Sequence, residues 1–125
     1  MILEYKKAYM IVEVFCAYYK MTPQKLFELN REGWLVKRRQ MCLTQIKKLT
    51  KLTSKHTGNV ATKYGRKKPI DHATVLHAIK CHDIFMDTDY SYNKDYHRIL
   101  SLIPFLHDTD NLQNKELQEN IKKVY

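Results

Sequence analysis

Ala8, Ile11, Val12, Phe15, Tyr18 and Tyr19 recur three or four residues apart, the spacing of one face of a helix, which predicts an amphipathic helix over residues 4–20. Thr22-Pro23 then supplies an N-cap followed by a proline at the first helical position, so a short helix to about Leu29 is expected. Asn30-Arg31-Glu32-Gly33 reads as a loop. From Leu35 to Leu52 the apolar stripe is Cys42, Leu43, Ile46 and Leu49, with Lys47, Lys48 and Lys51 elsewhere on the cylinder; this predicts a long helix with a basic face. Thr53 or Ser54 can cap a helix reaching Tyr64, in which Gly58 is a weak point costing about 1 kcal/mol relative to alanine. Gly65 ends that helix, 66–70 form a loop, and Asp71 caps a helix whose expected core face holds Val75, Leu76, Ile79 and Met86. A further helix over Asn93 to Ile103 carries Tyr96, Ile99, Leu100 and Ile103 and is limited by Pro104. Asp110 to Tyr125 is polar, with Leu112, Leu117, Ile121 and Val124 spaced for a last amphipathic helix.

No stretch alternates as a strand does, so the fold expected is all-α: one domain of about six or seven helices. The helix ending at Gly65 and the one opened by Asp71 form a helix-turn-helix in this reading. At 125 residues the chain suits a single core of ordinary size. No apolar run approaches the roughly 20 residues of a membrane-spanning helix, and Glu4, Lys6 and Lys7 break up the N-terminus where a secretory leader would be apolar. The three cysteines, Cys16, Cys42 and Cys81, are odd in number, far apart and set among apolar neighbours, a reduced intracellular pattern. Cytoplasmic residence is the expectation. The three glycines fit neither a phosphate-cradling loop nor a dinucleotide fingerprint, so no nucleotide cofactor and no small-molecule substrate are expected.

Charge changes the picture because it is unevenly placed. The net charge is +9, and between Gly33 and Ile70 there is no Asp or Glu while eleven of the 22 Lys and Arg fall there. A chain with half its cations in under a third of its length has the footprint of a protein that neutralises phosphates; the alternative is a solvated basic face.

The segment Asp71-His72-Ala73-Thr74-Val75-Leu76-His77-Ala78 resembles the signature Arg-Asp-His-Thr-Thr-Val-Leu-His-Ala of the C-terminal DNA-binding domain of the bacterial replication initiator DnaA. Val36-Lys37-Arg38-Arg39-Gln40-Met41 resembles that family's Ala-Arg-Pro-Arg-Gln-Met, and Ala17-Tyr18-Tyr19-Lys20 its Glu-Tyr-Tyr segment. The resemblance spans residues 11–103, with 1–10 extending the first helix and 107–125 a polar helical tail. It implies a fold akin to the Trp repressor, with the helix opened by Asp71 in the major groove of double-stranded DNA. Asp71, His72, Ala73 and Thr74 are then the base-contacting residues: a carboxylate can accept from cytosine, an imidazole serves either role, and methyl groups meet thymine. Arg39, Gln40 and Lys47 match family positions that contact DNA. Lys48, Lys51, Lys55, Lys63, Arg66, Lys67 and Lys68 join the backbone-contacting set on charge alone. Ala73 replaces a base-reading threonine, and Ile70 stands where the family has arginine. The loop before it is about three residues longer, and the family's basic loop, whose arginine reaches the minor groove, corresponds to residues 28–36, which offer only Arg31.

His77, Cys81 and His82 invite a metal, but a site needs three or four converging ligands, and no metal is expected. The nine tyrosines include Tyr9, Tyr18, Tyr19, Tyr64 and Tyr96 on or beside apolar stripes, which assigns them to the core rather than to nucleophilic chemistry. The function expected is therefore non-enzymatic duplex-DNA binding, in replication initiation, its regulation or transcription, by an independent short protein of the nucleoid or a mobile element. The alternative is a protein-interaction adaptor or RNA-binding module on the same scaffold. The tail 110–125 serves dimerisation, a protein partner or packing on the domain, and sequence leaves these open.

Overall fold

The computed structural model describes residues 1–107. Six α-helices form one all-helical domain there: α1 (Ile2–Tyr19), α2 (Pro23–Leu26), α3 (Gly33–Leu49), α4 (Ser54–Asn59), α5 (His72–Thr88) and α6 (Tyr90–Leu102). Two 3-10 turns, Val60–Tyr64 and Pro104–His107, follow α4 and α6. None of the described helices is long and apolar enough to cross a membrane. The tail helix expected over 110–125 lies outside the described residues.

Most boundaries follow from the capping chemistry. Thr22 accepts from the Lys25 amide ahead of Pro23, Thr53 accepts from the His56 amide, and Asp89 caps α6 through the Tyr92 amide. Each side chain satisfies a backbone donor that has no partner within the helix. Lys20 ends α1 in the left-handed conformation at φ 55.

The long central helix departs from expectation. In α3 the buried residues are Leu35, Arg39, Met41, Cys42, Leu43, Thr44, Gln45 and Ile46, so its middle is enclosed nearly all round. The reason is that α1, α2, α4 and α5 all pack on it, and a helix surrounded by neighbours keeps no solvent stripe. Its basic face shrinks to the C-terminal end, where Lys48 is exposed 3.8 Å from Asp83.

The core joins Phe15, Leu26, Phe27, Leu43, Ile46, Ile99 and Ile103 with Val75 and Ala78 of α5. The tyrosines take the places expected of them: Tyr64 and Tyr96 are buried, and Tyr9, Tyr18 and Tyr19 are half-buried against the core. Tyr18 and Tyr19 both donate to the Asp95 carboxylate, at 2.7 and 3.0 Å, tying α1 to α6.

The helix expected up to Tyr64 changes to a 3-10 turn at Val60, and Gly58 proves more than a weak point. The Ile70 amide donates to the Gly58 carbonyl at 3.2 Å, and a Cβ on Gly58 would stand 1.8 Å from the Ile70 carbonyl oxygen. Only glycine lets the loop before α5 lie directly on α4. Gly65 serves differently: a Cβ there meets nothing, but its φ of +107 is one that side-chain-bearing residues rarely adopt.

Candidate nucleic-acid interface

The loop that lies on Gly58 positions the start of α5. Ile70 is buried, anchoring the loop, and the next four residues, Asp71, His72, Ala73 and Thr74, are all exposed. An isoleucine where the resembled family has arginine thus serves as a hydrophobic anchor. Asp71 accepts from the Thr74 amide at 2.8 Å, and this bond, with help from the Thr74 hydroxyl, holds its carboxyl below the usual carboxylate range. The carboxylate is ionised at neutral pH and retains acceptor capacity beyond the cap.

Behind this turn runs an open groove of about 730 Å³ between α3, the loop after α2 and the start of α5. Gln40, Asp71, Thr74 and His77 line it together with Arg31 and Arg66. Thr74 and His77 share a helix face, three residues apart. A second concavity of about 770 Å³ holds Lys67 and Lys68 and shares Leu29, Arg66 and Pro69 with the first. Those three shared residues stand between the two concavities, and the first reaches Asp71 and Thr74 at the start of α5.

The expected phosphate-contacting residues divide sharply. Arg39 lines the groove but is only 9% exposed, and it donates to the carbonyls of Leu26, Glu28 and Asn30 at 2.8, 2.6 and 3.2 Å. Burial, then the nearby Arg66 charge, lowers its pKa to about 10, so it is still protonated at neutral pH. Arg66 donates its Nε–H to the Phe27 carbonyl at 2.8 Å. Two guanidiniums therefore clamp the carbonyls at the end of α2 and in the loop after it, groups that the short helix leaves without partners. Arg39 is a scaffold residue; Arg66 is half-buried and lines both concavities.

Gln40 lines the groove, and Lys67 and Lys68 stand exposed in the second concavity. Lys47, Lys48, Lys51 and Lys55 line neither concavity. Lys47 is half-buried, while Lys51 and Lys55 are exposed near the start of α1, where the Lys51 amide donates to Glu4 at 2.7 Å. Lys63 stacks over the Tyr9 ring at 4.7 Å.

The groove also takes in Arg31, the one cation of the segment matching the family's basic loop, and His77, to which the sequence reading gives no DNA-facing role. His77 was readable from its three-residue spacing to Thr74, whereas Arg31 sits in a loop whose placement depends on Arg39. His77 Nε2 and Cys81 Sγ lie 3.3 Å apart. Among the described residues no three of His, Cys, Asp and Glu converge as a metal would require.

The expected core face of α5 also needs correcting. Val75 is buried, but Leu76 is 53% exposed, and Ala78 and His82 complete the buried stripe, with Ile79 and Met86 half-buried. His82 bonds to the Tyr92 hydroxyl at 2.6 Å and lies 4.7 Å from the Tyr96 ring. Burial, then the Lys48 charge, lowers its pKa to about 4. A hydroxyl partner on α6 makes the polar ring acceptable inside.

No family model matches this chain, and no curated protein sequence matches it.

Proposed function

We propose that this chain is a non-enzymatic double-stranded-DNA-binding module of the type the DnaA resemblance implies, taking part in replication initiation, its regulation or transcription. The carrying observation is the exposed turn Asp71-His72-Ala73-Thr74 at the end of a groove lined by Arg31, Gln40, Arg66 and His77. In this reading Asp71, His72 and Thr74 meet base edges, and Ala73 offers a methyl group to thymine. Gln40, His77, Arg31, Arg66, Lys67 and Lys68 face the sugar-phosphate chains on either side.

Selection of bound duplexes from a random pool at moderate salt tests this directly. Enrichment of a short motif supports base reading. Recovery of unenriched sequence, with equal retention of RNA duplexes, contradicts it. Affinity should fall about a thousandfold over a fourfold rise in salt if six or more phosphates are engaged.

The second reading is an adaptor or RNA-binding module on the same scaffold, and the carbonyl clamp favours it. Arg39 spends its donors on three carbonyls, which leaves fewer cations free beside the groove than the resembled family implies. The same selection separates the two.

A further inference from the structure

The concavity beside the DNA-facing groove has a lining that a polyanion alone does not call for. Its walls are Phe27, Leu29, Tyr64 and Pro69, and Lys67 and Lys68 stand at its rim. Phe27 and Tyr64 stack with centroids 5.8 Å apart and planes 13° from parallel, giving a rigid aromatic base. Leu29, at 84% exposure, is among the most solvent-accessible large apolar side chains described. The lining contains one acid, Glu28, and Lys25 neutralises it at 2.9 Å.

We infer that this concavity docks an acidic protein segment carrying a large apolar residue: the apolar side chain covers Leu29 and Pro69 above the buried Phe27–Tyr64 stack, and flanking carboxylates meet Lys67 and Lys68. Charge complementarity selects the acidic flanks, since among the described residues Lys67 and Lys68 have no acidic partner and the one carboxylate in the lining is already paired. The apolar wall selects a peptide over duplex nucleic acid, whose bases are stacked inside and whose outer surface away from the grooves is phosphate and sugar, with no apolar side group to cover Leu29. A volume of about 770 Å³ falls in the range of ordinary ligand pockets. Gly65, at φ +107, sets the turn that brings Lys67 and Lys68 to this rim. The site shares Lys67 and Lys68 with the duplex-binding reading but not His72 or Thr74, so a duplex and the peptide would compete at these lysines while His72→Ala separates the two.

The test uses the full chain, isotopically labelled, and two fluorescent peptides of equal charge, Asp-Asp-Phe-Leu-Asp-Asp and Asp-Asp-Ser-Gly-Asp-Asp. The anchored peptide is expected to bind about tenfold or more tightly than the control, the ratio one buried apolar side chain supplies. Its largest amide shifts should fall on Gln24, Leu29, Gly65 and Lys67. The double variant Lys67→Glu, Lys68→Glu should lose about tenfold or more of that binding, whereas His72→Ala should lose none. Equal binding of the two peptides, shifts centred on another surface, no binding, or stronger perturbation of the same amides by a short thymidylate oligomer would each overturn the inference.

Discussion

Two histidines ten residues apart on α5 are put to opposite uses. His72, in the first turn, stands exposed beside Asp71 and Thr74. His82 is 1% exposed, held by the Tyr92 hydroxyl and packed against the rings of Tyr92 and Tyr96. The cations divide in the same way: Lys67 and Lys68 stand at a rim, while Arg39 is consumed by three carbonyls. A polar residue's identity therefore says little about whether it serves a partner. What decides is whether the surrounding helices leave an unsatisfied group for it to reach.

Breaking the buried side of this comparison should have the largest effects. Arg39→Ala leaves three carbonyls without their donor and should cost about 3 kcal/mol or more in urea unfolding, with Arg39→Lys recovering little because an ammonium lacks the planar fork. A loss no larger than that of an exposed lysine variant would remove the clamp. Gly58→Ala comes next. Its Cβ would collide with the Ile70 carbonyl, so about 2 kcal/mol should be lost through overpacking, and the start of α5 should shift. Stabilisation by the ordinary helix preference of alanine would show that the close approach is absent.

His82 gives a pH signature. Its pKa is about 4 in the folded protein against an ordinary value of 6.5, so the unfolded chain binds the extra proton first on acidification. The stabilising contribution of neutral His82 is complete above about pH 6.5 and drains away as pH falls toward 4, by something on the order of 2 kcal/mol. Chemical unfolding of His82→Gln alongside the parent chain, at pH 7 and at pH 4.5, isolates it: the stability gap should narrow at the lower pH. A gap independent of pH would mean that the ring is not buried neutral. Lys67→Gln, on the exposed side, should change stability by less than about 0.5 kcal/mol while reducing the salt dependence of duplex affinity by about one counterion. An unchanged salt slope would move Lys67 off the DNA path.

Local chemistry was legible in the sequence. Thr22-Pro23, Gly65, Asp71 and Pro104 mark ends that appear where capping and backbone rules put them, and the all-helical class follows from period alone. What escaped is set by partners distant in the chain. Leu76 looks like core and is exposed because α5 turns the Val75, Ala78 and His82 edge inward, an outcome that needs the Tyr92 hydroxyl of another helix. Arg39 looks like a surface cation because nothing in its own segment reveals the carbonyls of 26–30. The exposed tip at 71–74 was readable because a side-chain cap requires its residue to stand at a helix end, whereas the groove behind it was not, being assembled from α3, α5 and two loops.

The central claim is that the first turn of α5 reads base edges, and competition binding of His72→Ala tests it most directly. Its affinity would be measured on a duplex selected by the parent chain and on a scrambled duplex of the same length, at one salt concentration. The expected result is a loss of about 1–3 kcal/mol on the selected duplex and almost none on the scrambled one. Equal losses on both would contradict base reading and leave His72 as a general electrostatic contact.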